Sequence, residues 1–332
     1  MPTTYDVLGI GNAIVDVIAR TEDDFLVKHG MHKGTMALID EPRAQAVYAS
    51  MGPAVETSGG SGANTIAGIA SFGGKAAFVG KVKDDVLGKA FTHDIRAIGV
   101  DFTTKAAADG PSTACCYVLV TPDGERTMNT YLGAAQNLSP ADLDEKQIAS
   151  ARYTYLEGYL WDPPQAKEAF RKAAAIAHGA GRKVALSLSD AFCVDRYRDE
   201  FLNLMRTGAV DLIFANEGEL KSLYQTADFD SAVAGLRNDV KLAVVTRSEK
   251  GCIVVSRESN EAVSAAPIDK MVDATGAGDL FAAGFLIGLA RDLEHRDAAR
   301  LGAIAAAEVI QHLGARPETS LKALAQESGY TI

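Results

Sequence analysis

The sequence predicts an α/β protein: a doubly wound, mainly parallel sheet with helices on both faces, plus a small β-sheet lid. Three observations predict it. Short apolar runs alternate with helix-like stretches along most of the chain, and such alternation produces βα units and a parallel sheet. Two stretches, 34–40 and 112–132, are strand-like and break the rhythm without a helix of their own. The 332 residues are 47% hydrophobic and 23% charged, enough apolar surface for a large core.

In chain order, "YDVLGIG" (5–11) is a short apolar run bounded by glycine, hence a buried strand. "SGANTIAGIASFG" (61–73) is rich in small helix-compatible residues and ends on Gly73 and Gly74. "KAAFVGKV" (75–82) reads as strand, and 84–100 as helix, with Val86, Leu87, Ala90, Ile95 and Ile98 apolar. Strand 152–160, helix 163–181, strand 183–189, helix 198–208, strand 210–216, helix 217–225 and strand 241–248 follow, then a helical block from about 277 to 325. In 112–132 the turn "TPDGE" separates two apolar runs, which is a hairpin signal. Inserted β-elements are either an edge extension or a small sheet beyond the strand ends, where doubly wound folds place ligands. The second alternative makes them a lid. The expected division is a core domain of 1–15, 41–110 and 134–332, with a lid of 16–40 and 111–133.

Composition excludes several functions. The formal net charge is −10 with no offsetting basic run, so no nucleic-acid partner is expected. Cys115, Cys116, Cys193 and Cys252 lack CxxC spacing and read as reduced, buried thiols. No signal-peptide profile and no span of about 18 apolar residues is present, so the expectation is a cytoplasmic protein away from membranes.

The densest chemistry lies in "VDATGAGDLFAAGF" (272–285). Small residues at Thr275, Gly276, Ala277 and Gly278 let the backbone approach a ligand, with amides directed into one concavity. A helix follows, and a helix N-terminus favours anions. Asp279 is then either a first-turn acid facing the helix dipole or a base beside a transferring phosphoryl group. Only the second accounts for the glycines before it. "ANEGEL" (215–220) places Asn216 and Glu219 three residues apart at a helix start. That pair is a capping box or, with waters, a holder of Mg²⁺. Gly9 and Gly11 in "GIGNAIVDV" lack the third glycine of a dinucleotide fingerprint, which leaves a dinucleotide-dependent oxidoreductase only a distant alternative.

"DATGAGDLFAAGF" and "GGSGANTIAGIASFGGKAAFVGKVKDD" (59–85) closely resemble the two signatures of the ribokinase-like (PfkB) carbohydrate and nucleoside kinases, and the resemblance covers essentially the whole chain. It implies Asp279 as catalytic base, with the amides of Gly276, Ala277 and Gly278 as anion hole. It implies ATP as donor, with Mg²⁺ held by Glu219 and Asn216, largely through water. It further implies nucleotide contacts at Asn216, Thr246, Gly251, Thr275, Gly276 and Gly278, with Ala305 as an adenine wall. Asp273 and Thr275 match a monovalent-cation (K⁺) site of some members. For the acceptor it implies Asn12, Asp16, Gly59, Gly60 and Asn64, the aspartate holding two vicinal hydroxyls.

"GIGNAIVDV" and residues 115–139 look like the adenosine-kinase branch. The implied reaction is ATP + adenosine → ADP + AMP. A ribokinase- or fructokinase-like sugar kinase, an inosine or guanosine kinase and a non-catalytic nucleoside sensor are the alternatives. Phe102, Tyr117, Tyr131, Tyr159 and Trp161 are the aromatic candidates to stack on a base. Edges at 34–40 and 112–132 leave a monomer or a lid-mediated homodimer open.

Overall fold

The structure, a computed structural model, describes residues 3–332. Its strands are β1 (Tyr5–Ile10), β2 (Ile14–Arg20), β3 (Met36–Leu38), β4 (Ala54–Gly59), β5 (Ala76–Val79), β6 (Ala114–Val120), β7 (Arg126–Tyr131), β8 (Ala151–Glu157), β9 (Lys183–Ser187), β10 (Leu212–Asn216), β11 (Leu242–Thr246), β12 (Cys252–Ser256) and β13 (Asn260–Val263). The helices are α1 (Asp23–Lys28), α2 (Glu41–Ser50), α3 (Ser61–Ser71), α4 (Val86–Ala97), α5 (Glu145–Ala149), α6 (Pro164–Gly179), α7 (Ala191–Arg206), α8 (Glu217–Leu223), α9 (Phe229–Asp239), α10 (Ala277–Ala290), α11 (His295–Val309) and α12 (Leu321–Glu327).

The larger sheet has the order β13-β12-β11-β10-β9-β8-β1-β5. It is parallel from β5 to β11 and ends in an antiparallel β11–β12–β13 edge. Successive side chains of a strand point to opposite faces, and here both faces are apolar. On β10, Leu212 and Phe214 join the layer containing α3, α10, α11 and α12. Ile213 and Ala215 join the layer containing α6, α7, α8 and α9. Burial on both faces is why these strands read as continuous apolar runs. The mixed α/β, ribokinase-like fold is as the sequence predicts.

β1 lies between β5 and β8, so the chain leaves it in one direction and later returns on its other side. That reversal opens a crevice beyond the carboxyl ends of the strands. Asn12, Glu157, Asn216 and Thr246, at or just beyond the ends of β1, β8, β10 and β11, all line it.

The second sheet has the order β3-β7-β6-β2-β4. One face, with Val15, Val17, Cys115 and Tyr117, is buried in the same layer as α3 and α10. The other, with Ile14, Asp16, Ile18, Cys116, Val118 and Met128, lines the crevice. β4 belongs to this sheet through its antiparallel pairing with β2, which itself begins at Ile14. The expected boundaries, which assign 1–15 and 41–110 to the larger domain, are corrected there. β4 reads "AVETSG", a largely exposed edge without apolar alternation, so its pairing leaves no periodic signal.

Other elements also differ. The sequence predicts a helix from Arg198, but α7 starts at Ala191, because Asp190 accepts from Cys193 N–H at 2.6 Å as N-cap. The helix bends at Tyr197, whose φ and ψ are −124° and 21°, and this masks its full period. The block 277–325 divides into α10, α11 and α12, with Asp292 at φ 56° in the first turn between them. All four cysteines are free and buried, as expected. No helix among the described residues is long and apolar enough to cross a membrane.

Candidate active site

The two sheets enclose a cavity of about 1190 Å³. At its floor the chain turns through Ala274 and Thr275 into α10, with Gly276 as N-cap at φ 80°, ψ −4°. This left-handed conformation is costly for residues with a Cβ. A Cβ on Gly276 would also stand 2.8 Å from Ala315 Cα. Leu280 N–H closes the first helical bond, onto Gly276 O at 2.9 Å. Ala277 N–H turns back to Ala274 O at 3.3 Å, so this expected anion-hole donor is partly engaged within the turn. The N–H groups of Gly278 and Asp279, in the first helical turn, lack intrahelical partners.

Asp279 lies in that turn and lines the cavity. Its Oδ1 accepts from Ser61 Oγ at 2.6 Å and its Oδ2 from Asn64 Nδ2 at 3.1 Å. Both partners stand on the first turn of α3, which packs directly on α10. Burial raises the Asp279 carboxyl to about 6, against the opposing effects of Ser61, Asn64 and Arg316. A carboxylate aimed this way, with its acidity moved towards neutrality, is equipped to receive a proton. Asn64 Oδ1 is buried without a partner.

The acceptor side is written across the small sheet in two rows. In the first, Thr57, Asp16, Cys116, Thr130 and Leu38 stand side by side on β4, β2, β6, β7 and β3. In the second, two residues along, are Ile18, Val118, Met128 and Met36. All nine line the cavity. The rows are about 7 Å apart, at roughly 3.3 Å per residue. Polar groups thus lie beside Asp16, and a purely apolar strip lies beyond. A Cβ on Gly59, paired through Ile14, would overlap the Asp16 carboxylate, so this glycine makes room for the acid rather than facing the cavity. Gly60, at φ 95°, caps α3 and lines the cavity. Burial raises Asp16 to about 6, opposed by the charges of Arg316 and Arg126.

Four residues that sequence reasoning passes over complete the site. Glu157, at the end of β8, accepts from Asn12 N–H (3.1 Å), Asn12 Nδ2 (2.6 Å) and Gly62 N–H (2.8 Å). Burial raises it to about 7. It fixes Asn12 and the start of α3, and an acid closing the strand "ARYTYLE" was its available signal. Ser61 orients Asp279. Arg126 reaches in from β7, and Arg316 from the loop after α11. Burial lowers Arg316 to about 10, against the carboxylates of Asp16 and Asp279, so it remains a cation at neutral pH. Its Nη2 donates to Ser58 Oγ at 3.3 Å, while its Nε is buried without a partner.

Asn216 and Glu219 form the capping box in full: Asn216 Oδ1 accepts from Glu219 N–H at 2.8 Å, and Glu219 Oε2 from Asn216 N–H at 2.9 Å. Both also line the cavity, so capping and cation holding are compatible. Burial raises Glu219 to about 7, and the charges of Asp190 and Asp279 push in the same direction. One buried carboxylate beside an amide suits Mg²⁺, which needs only one or two protein carboxylates beside phosphates and water. Asp273 is different. It lies behind the loop, and its Oδ1 accepts from Thr275 N–H and Oγ at 3.0 and 2.8 Å. Its Oδ2 accepts from Gly314 N–H at 3.0 Å and faces Arg126 Nη2 at 2.8 Å. With Oδ1 accepting twice and a buried guanidinium 2.8 Å from Oδ2, this donor set does not fit K⁺.

Asn12, Asp16, Gly60, Asn64, Asn216, Glu219, Thr246, Thr275, Gly276, Ala277, Gly278 and Asp279 therefore converge on one cavity. Gly251 and Ala305 do not line it. Gly251, at φ 80°, makes the β11–β12 turn, where a Cβ would strike the Val263 carbonyl. Ala305 is wholly buried in α11, whose small residues serve close packing on α10. Of the aromatic candidates only Tyr159 lines the cavity. Phe102, Tyr117 and Tyr131 are buried in one apolar layer and Trp161 in the other. Aliphatic and sulfur-bearing side chains, with Phe281, Phe214 and Phe192, take their place.

A family model described as pfkB family carbohydrate kinase matches residues 41–322. The adenosine kinase from Sinorhizobium meliloti is 54% identical, with a TM-score of 0.91 over 98% of this chain and 99% of that one. A probable sugar kinase from Rhizobium etli CFN 42 is 52% identical, with a TM-score of 0.93 over 98% and 99%. Probable fructokinase-6, chloroplastic, of Arabidopsis thaliana is 30% identical over 272 residues, covering 78% of this chain and 70% of its own length.

Proposed function

The chain belongs to the pfkB family of carbohydrate kinases, and on that premise we propose that it transfers the γ-phosphoryl group of ATP to the 5′-hydroxyl of adenosine, forming ADP and AMP. The observation that carries the acceptor choice is the pair of rows on the small sheet. A ribose placed against Asp16 puts its base over Ile18, Val118, Met128 and Met36. A free sugar leaves that strip uncovered. Likeness to the S. meliloti adenosine kinase supports the same choice.

In this reading Asp16 accepts hydrogen bonds from two vicinal hydroxyls, each carboxylate oxygen taking one. Asp279, held by Ser61 and Asn64, takes the proton of the 5′-hydroxyl as that oxygen attacks the phosphorus in line. The free amides of the first α10 turn stabilise charge on the transferring group. Glu219 and Asn216 are the anchor for Mg²⁺, which when bound neutralises phosphate charge. The small sheet covers the acceptor and excludes water that would otherwise hydrolyse ATP.

The test is product identification: protein, Mg²⁺-ATP and adenosine should yield AMP and ADP in equal amounts, and ATP alone should yield little ADP. Adenosine that binds without any ADP appearing would instead indicate a nucleoside sensor. The fructokinase likeness favours a second reading, a free-sugar acceptor using the Asp16 row alone; fructose or ribose consumed in preference to adenosine would establish it.

A further inference from the structure

Asp273 and Arg126 belong to different sheets' territory. The aspartate precedes the glycine loop in the larger domain, and the arginine is the first residue of β7 in the small sheet. Their side chains are only 7% and 9% exposed, with Nη2 and Oδ2 2.8 Å apart. Thr275 donates twice to Oδ1 and Gly314 once to Oδ2, and Arg126 Nη2 meets Oδ2 as an ion pair rather than as a hydrogen-bond donor. A monovalent cation needs several such oxygens, and beside Arg126 it would meet a buried like charge. Burying the pair without its counter-charge is strongly unfavourable, so the aspartate and a positive partner belong together.

What Asp273 organises is the phosphoryl-transfer loop. Its bonds to Thr275 set the turn ahead of Gly276, and its bond to Gly314 draws in the loop whose Ala315 abuts Gly276. Arg126 also lines the acceptor cavity, beside Met128 on the same strand.

We propose that the Arg126 guanidinium stands in for a monovalent cation at Asp273, so the positive charge that orders the glycine loop is supplied by the small sheet. Seating of that sheet and ordering of the loop are thereby one event, and the protein needs no K⁺. The rate arm of the test rests on the kinase reading; the melting arm uses neither ATP nor acceptor and stands without it.

Melting temperature and kcat are measured in potassium, sodium and tetramethylammonium chloride at equal ionic strength, for the wild type and Arg126→Met. The wild type should be indifferent to the cation in both readouts. Arg126→Met should lose at least about tenfold in kcat and should gain melting temperature in potassium over tetramethylammonium. A wild-type protein whose melting temperature or kcat rises with potassium overturns the proposal, because the carboxylate then takes an ion despite the arginine. An Arg126→Met protein matching the wild type in tetramethylammonium overturns it too, because no cation is then required. Should the methionine variant fail to fold, the wild-type comparison decides alone.

Discussion

Around Asp279 the base and the main-chain N–H groups come from one short segment, residues 273–279, with Ser61 and Asn64 of α3 holding the carboxylate. On the acceptor side Asp16, Thr57, Cys116, Met128 and Thr130 come from four strands, and every acting group is a side chain. The first half is a backbone shape, intolerant of change at Gly276, where a Cβ would crowd Ala315 on a left-handed backbone. The second is a pleated surface whose rows can be exchanged one residue at a time without altering the fold. A common transfer chemistry with acceptors that differ between relatives follows from that division.

The largest effect expected from breaking the transfer half is at the base. Asp279→Ala should lower kcat by about 10²–10⁴-fold, with ATP binding retained by isothermal titration; near-normal turnover would remove Asp279 from the mechanism. Gly276→Ala should follow, at about 10²-fold in kcat through a displaced first turn of α10. Thermal unfolding should also show a stability loss of about 1–2 kcal/mol from the left-handed backbone.

Changes in the acceptor half should be smaller and confined to the acceptor. Asp16→Asn weakens hydrogen bonds made to a charge, a loss of about 1.5–3 kcal/mol, and should raise the acceptor KM while leaving that of ATP unchanged. Met128→Ala should reduce kcat/KM for adenosine by about 1–3 kcal/mol but leave that for free ribose unaltered, since only the base reaches the outer row. Equal losses for both acceptors would show that the strip does not carry the base.

The smallest effect is that of pH, and its sign opposes activity to stability. Burial raises Asp279 to about 6, so kcat/KM should fall as pH drops below about 6 and the base becomes protonated. Melting of the ligand-free protein should change the other way. Between about pH 4 and 7 the folded state retains protons on Asp279, Asp16 and Glu157 that the unfolded chain has released. Stability should therefore decline as pH rises through that window.

The same division explains what could be read before the fold was known. The glycine loop is visible in sequence because a backbone requirement can be met only by particular residues at consecutive positions. Asn216 and Glu219 are visible for a similar reason, since a capping box has fixed spacing. Arg126 and Arg316 carry no local signature; what they do depends on distant strands and loops brought together by folding. Gly251 and Ala305 show the converse case, small residues that a hairpin turn and helix packing already account for. Which aromatic candidates face the cavity was not legible, because alternation on β6 and β7 marks two faces without saying which meets it. Tyr117 and Tyr131 turn away from it, while Val118 and Met128 turn towards it.

The central claim is that one cavity joins a backbone-built transfer site to an acceptor surface graded from polar to apolar. Side-by-side kcat/KM values for adenosine, ribose and fructose under one ATP-consuming assay test it most directly. Adenosine should exceed both sugars by at least the value of one buried apolar contact, about tenfold. A free sugar equal to or better than adenosine would contradict the account.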